Sequence, residues 1–298
     1  MSIVRAYDED LSNIISLHKD KSNGYLHKYI DFFYKNYYDN LDMYLNKEEG
    51  IIEAMLNVRS FDIFLNSQLI KVDFLSNKVY VNNQEKLDEL IIKALENNSY
   101  KTLITYSLYD ENLYKFGFEP IFYQRQYLFK KGDVNGNTDG VREIQNYDDL
   151  VYIYQRFTKR FNGFRVRDLN YFIDYAKEVR SSVGQIVTYY DQNGDIQGYA
   201  CMLETDKQII IEECCYLTIA AIEKFVSLAL EIRPQVVLKT SASEKLDRVF
   251  KNVSFTESPH VMAKINDLSI IQDAYYLNSK SILDLYRLST KPVYFNEK

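Results

Sequence analysis

In the stretch KVYVNNQEKLDELIIKAL (78–95), Asn82, Asn83, Gln84, Glu85 and Lys86 stand between a strand pattern and an amphipathic helix pattern. A strand-turn-helix unit of this kind can cradle a phosphate. The exposed amides of the first helical turn and the positive end of the helix dipole both favour an anion there. Phosphate-binding turns are usually rich in glycine, which lets backbone approach the ligand closely. This turn has no glycine, and Glu85 falls in the first turn of the helix. Asn82 or Asn83 is a good N-cap, so the expectation is a helix that caps itself with protein groups. A carboxylate about 6 Å from a phosphate charge opposes binding by roughly 3 kcal/mol at an effective dielectric near 20. Solvent screening and Lys86 offset part of that.

Other reactive side chains are sparse. Asp73 in KVDFL could act as a base, although a strand-edge carboxylate is more often simply solvated. The histidines His18, His27 and His260 are scattered, and neither CxxC nor HExxH occurs, so no metal site is expected. Cys201, Cys214 and Cys215 lack the spacing of a disulfide framework and read as buried thiols in a reducing cytoplasm. The net charge of −6 provides no basic field for nucleic acid or an anionic membrane. The longest apolar region, 209–232, is broken by Glu212, Glu213, Glu223 and Lys224, and the first residues lack a signal pattern. A cytoplasmic protein with a small-molecule partner is the expectation.

These residues must be placed by a larger frame, and an internal repeat supplies it. VRAYDEDLSNI (4–14) and VREIQNYDDLVYI (141–153) share a short strand, an acidic helix cap at Asp8 or Asp148, and an apolar-periodic helix. Leu150, Tyr154, Phe157 and Phe161 form one buried stripe of the second copy. Second helices are expected at 25–38, with Leu26, Ile30, Phe33 and Tyr37 as a core face, and at 168–179. Meanders follow, written as IIEAMLNVR, FDIFLN, QLIKVDFL and NKVYV in the first copy. In the second, Asn193-Gly194 marks a hairpin. Each meander leads to a helix, 84–96 or 219–231, then to a strand, 102–107 or 235–241, a short helix and a last strand. KKGDVNGNTDG (130–140) is a polar, glycine-bearing linker. The expected organisation is therefore α/β with mixed sheets: a domain at 1–130, a linker at 131–140, a second domain at 141–266 and a helical tail at 267–298.

The order of these pieces, with YSLYDENLYKFGFEPIFYQRQYLF (106–129) and FTKRFNGFRVRDLNYF (157–172), resembles the tandem GCN5-related N-acetyltransferase (GNAT) superfamily, of the enhanced-intracellular-survival type. The resemblance spans about residues 1–270 and lacks that type's sterol-carrier-like C-terminal domain, so Lys298 is not expected to supply the terminal carboxylate that the third domain brings. It implies transfer of an acetyl group from acetyl-CoA to an amine. It implies that the main chain at Lys78, Val79, Tyr80 and Val81 holds the pantetheine arm and that Asn82–Lys86 faces the diphosphate, although the family's glycines and arginine are missing there. It also implies a tyrosine that protonates the departing thiolate; Tyr114 is the candidate, three residues before Gly117 where the family spacing is four and Leu113 stands. In the second copy the matching turn, with Thr218 as cap and Ile219, Ile222 and Val226 as core, is not expected to bind a cofactor. The competing expectation is a catalytically inactive descendant that binds a small molecule or a protein.

Overall fold

The computed structural model describes residues 2–22, 27–98, 102–134, 136–182, 184–269, 272, 281–288 and 290–296. Two compact units emerge. The first is Met1–Ile121 with Val261–Thr290, and the second is Phe122–His260 with Lys291–Asn296.

The first unit begins with β1 (Ser2–Arg5), α1 (Leu11–Asp20) and α2 (His27–Tyr37). Next come β2 (Met43–Glu48), β3 (Ile51–Leu65) and β4 (Gln68–Tyr80), all antiparallel neighbours. After α3 (Gln84–Asn98), β5 (Ile104–Leu108) returns parallel to β4. The separate pieces IIEAMLNVR and FDIFLN are a single 15-residue strand, because no turn residue interrupts the alternation of buried and exposed positions between Arg59 and Phe61. On one face α3 buries Leu87, Leu90, Ile91 and Ala94 against Ala54, Leu56 and Leu75. In a second cluster Ile14, Ile30, Phe33 and Tyr34 pack on Met43, Leu45 and Met55. Tyr37 is only partly buried there, and Leu26 lies outside the described residues.

The second unit follows the same order: β7 (Val141–Glu143), α4 (Tyr147–Thr158), α5 (Leu169–Ser181), then the antiparallel β9 (Gly184–Tyr190), β10 (Ile196–Glu204) and β11 (Ile209–Tyr216). β8 is the two-residue strand Phe164–Arg165. α6 (Ile219–Ile232) leads to β12 (Gln235–Ser241), parallel to β11. Gly194, at φ +83, closes the hairpin between β9 and β10, and Asp191 accepts the amides of Asn193 and Asp195. Leu150, Tyr154, Phe157 and Phe161 are buried, as their spacing requires.

The helix caps sit beside the expected carboxylates. Asn146, not Asp148, caps α4 and accepts the Asp148 amide. In the first unit Asp10 accepts the Tyr7 amide, while Asp8 opens a short 3-10 turn. A short polar side chain one or two positions away can meet the same orphan N–H, so spacing alone does not choose among neighbours.

The last strands of the two expected domains belong to unexpected units. β6 (Glu119–Lys130) pairs through Gln124–Lys130 with β12 of the second unit. β13 (Ser254–Ile265) pairs through Val261–Ile265 with β5 of the first. The two compact units divide within β6 and within β13. In the tail, α7 (Ile282–Arg287) belongs to the first unit, and Lys291–Asn296 is part of the second. Its end, Lys298, lies outside the described residues.

Candidate functional site

In the first unit the parallel pairing of β4 with β5 runs from Val72–Ile104 to Leu75–Ser107 and stops there, although β4 continues to Tyr80; β5 ends one residue on, at Leu108. The cause is local. Opposite the single Leu56 of β3, β4 carries two residues, Asn77 and Lys78. Asn77 takes φ +47, a left-handed conformation that asparagine tolerates. This β-bulge bends β4 away from β5 and leaves the edge of β4 beyond Leu75 without a parallel partner.

Lys78 enters the gap. Its Nζ donates to Ser107 Oγ at 2.9 Å, to the Leu108 carbonyl at 3.4 Å and to Asp110 Oδ2 at 3.4 Å. Burial pulls the Lys78 pKa down, with Asp110 opposing. Burial acts to raise Asp110, but Lys78 and the Asn112 amide outweigh it and hold its carboxyl below the usual range. Asp110 also caps the 3-10 turn Glu111–Phe116, which ends on Gly117 at φ +83.

Val79, Tyr80 and Val81 line the strand past the bulge, and the Val81 amide is taken by the Glu53 carbonyl. At the start of α3 the Glu85 amide donates to Asn83 Oδ1 at 2.9 Å, and Asn83 Nδ2 reaches Glu85 Oε2 at 3.2 Å. The Lys86 amide is turned onto the Asn83 carbonyl. Gln84 accepts from the Tyr80 hydroxyl at 3.4 Å. Asn82 is exposed beside them. Two cations flank this turn. Lys86 Nζ pairs with Glu48 at 3.1 Å, and Lys21 Nζ, from the end of α1, rests on the Val81 carbonyl at 3.1 Å. The role of Lys21 was not legible in the sequence, since sixty positions separate it from Val81 and nothing in its own neighbourhood signals an anion.

Tyr114 lies on the 3-10 turn after β5, 48% exposed, with its ring edge-on to Tyr109 at 6.4 Å. Leu113, at the family spacing, is buried in the core. Desolvation, then interaction with the Tyr114 hydroxyl and Glu111, pushes Tyr109 up to about 12. Asp73 is not solvated. It is 2% exposed and accepts Ser60 Oγ at 2.6 Å and Thr102 Oγ1 at 2.9 Å, so it serves the interior of the sheet.

The second unit repeats the parting. β11 and β12 pair from Ile209–Val236 to Ile211–Leu238, and a bulge at Glu212 follows. Here the gap is filled by its own chain. Lys239 Nζ holds both oxygens of Glu212 at 2.9 Å. Arg167 Nη1 donates to both oxygens of the buried Glu213, at 2.9 and 2.8 Å, and Tyr199 and Asn296 Nδ2 donate to the same carboxylate. What remains is a small cleft of about 10 Å³, lined by Gln124, Glu212, Lys239, Ser241, Glu244 and Asn296 among others. Thr218 occupies the cap position of α6 without a side-chain bond. The thiols of Cys214 and Cys215 are driven up by burial and stay protonated, consistent with a packing role.

Solved structures share the overall fold of this chain. A probable N-acyltransferase, a conserved protein of unknown function from Enterococcus faecalis V583, superposes with a TM-score of 0.71 at 15% identity, covering 90% of this chain and 73% of that one. Eis1 from Mycobacterium abscessus gives 0.63 at 11% identity, covering 91% and 75%. The chain has the fold of the GCN5-related N-acetyltransferases. N-myristoyltransferase of Saccharomyces cerevisiae, solved with bound myristoyl-CoA, gives 0.59 at 9% identity, covering 89% of this chain and 78% of that one. No protein-family model matches the sequence, and no curated protein does either. No helix among the described residues is long and apolar enough to cross a membrane.

Proposed function

We propose that the chain is an acyl-CoA-dependent N-acetyltransferase that acts on a small-molecule amine, with its cofactor site in the first unit. The observation that carries this reading is the end of the β4–β5 ladder at Leu75 and Ser107 while β4 runs on to Tyr80. Each unit is taken as one copy of the GNAT fold. The edge of β4 at Val79–Val81 suits the amide-bearing pantetheine arm of acetyl-CoA. The turn Asn82–Lys86 fits a diphosphate less well, because Asn83 already holds the Glu85 amide. Lys21 and Lys86 are placed to compensate, since the bond of Lys21 goes to a neutral carbonyl that a phosphate outcompetes.

Bound acetyl-CoA supplies an activated acyl carbon. The protein's share is to hold the amine neutral and close, and to protonate the thiolate that leaves. Tyr114 is assigned the second role; it stands on the turn that Asp110 caps and that Lys78 ties to β4. A second reading, a non-catalytic GNAT-fold binding protein, is favoured by the Lys78 brace and the self-capped start of α3.

Thermal unfolding with acetyl-CoA separates the outcomes. At a hundred times its dissociation constant, acetyl-CoA stabilises the chain by about 2.7 kcal/mol. Absence of any shift contradicts the enzyme reading. A shift without acetylation of any amine in a panel of polyamines, aminoglycosides and amino acids supports the second reading instead.

A further inference from the structure

The reading of the β4–β5 gap as an acyl-CoA site, on which this inference rests, leaves the amine of Lys78 without a part in the reaction. We propose that Lys78 Nζ is itself an acyl acceptor, and that the gap is a self-modification site for CoA thioesters. The bulge at Asn77 turns this side chain toward the place where the sheet opens, and the ammonium group is fixed there by Ser107, Leu108 and Asp110. The side chain keeps 13% of its exposure, so it is held but reachable. Burial lowers the cost of removing its proton, which supports the geometric argument.

The step balances without any further reactant. One ammonium proton passes to Asp110 Oδ2, 3.4 Å away, and on to solvent. The neutral amine attacks the thioester carbonyl; the N–C bond forms and the C–S bond breaks. The second proton leaves the nitrogen for the departing sulfur, giving an amide on Lys78 and free CoA thiol. The modified side chain is neutral and longer, and Asp110 loses its cation. Acylated Lys78 then occupies the opening that acetyl-CoA must enter, so modification lowers cofactor affinity.

The test is peptide-resolved mass spectrometry of the full chain after timed incubation with acetyl-CoA. Lys131 and Lys207 are exposed and serve as internal references. Acetylation of Lys78 is expected to run at least about tenfold faster than at these two, a barrier difference of about 1.4 kcal/mol. It should saturate with acetyl-CoA, slow with excess CoA, and fall to the reference rate in the chemically unfolded chain. Equal rates at all three lysines in the folded chain overturn the inference. If free CoA still raises the melting temperature in that case, the cofactor site stands and only the acceptor role of Lys78 is lost. If it does not, both fall together.

Discussion

Two rings near the C-terminus should hold the second unit together. Tyr294 is 5% exposed and Phe295 is 1% exposed. The Tyr294 ring meets Phe157 at 5.2 Å and Phe161 at 5.1 Å. The same segment exchanges backbone bonds with Asn162 at 2.8 and 3.0 Å, and its Asn296 carbonyl accepts from Arg167 Nη2 at 2.7 Å. Burying a large apolar side chain contributes about 1.5–3 kcal/mol. Tyr294→Ala with Phe295→Ala should therefore cost about 5 kcal/mol, allowing for coupling between neighbours. At about 2–4 °C per kcal/mol for a unit of this size, the melting transition should fall by about 10–20 °C. Far-UV circular dichroism of the full chain reads it. The units need not unfold together, so the lower transition is the one to follow. Tyr152→Ala, whose ring is 46% exposed, should leave that transition in place. A double variant that melts within about 2 °C of the parent would refute the claim that 291–296 is core.

Three further outcomes follow from the same geometry. Glu85→Gln removes the carboxylate from the first turn of α3, and CoA should bind about tenfold more tightly by calorimetry after screening of the roughly 3 kcal/mol repulsion; unchanged affinity means the diphosphate does not approach this turn. Tyr114→Phe should lower turnover by about a hundredfold while leaving melting unchanged, since the ring is exposed and only the hydroxyl is lost; full activity in that variant removes Tyr114 from the reaction. His18 is held down to about 4 by burial, and His260 to about 4 by burial and Lys239 against Glu212. An unfolded histidine titrates near about 6.5. The unfolded chain thus binds more protons between these values, so stability is full above pH about 6.5 and drains as pH falls toward 4, by up to about 3 kcal/mol for His260. Urea midpoints that stay flat from pH about 7.5 to 5 contradict this.

What could be read in the sequence was whatever depends on local periodicity. The α4 stripe and the 193–194 hairpin are set by spacing and turn chemistry within a few residues. The self-capped start of α3 was legible for the same reason, since Asn83 and Glu85 meet across two positions. Features that depend on remote pairing were hidden. β6 and β13 have the alternation of any last strand, and nothing in it records whether the partner is β5 or β12. The resemblance gave Lys78 a main-chain role, and where its side chain goes depends on the bulge that aims it at Ser107. Asp73 reads as an edge carboxylate because burial by Ser60 and Thr102 is a tertiary fact.

Hydrogen exchange with and without coenzyme A, resolved to short peptides, tests the cofactor assignment most directly. Bound ligand in the β4–β5 gap should slow exchange across 76–86 and 107–112 and leave 212–220 unchanged. Protection confined to the second unit, or none anywhere at saturating ligand, contradicts the assignment.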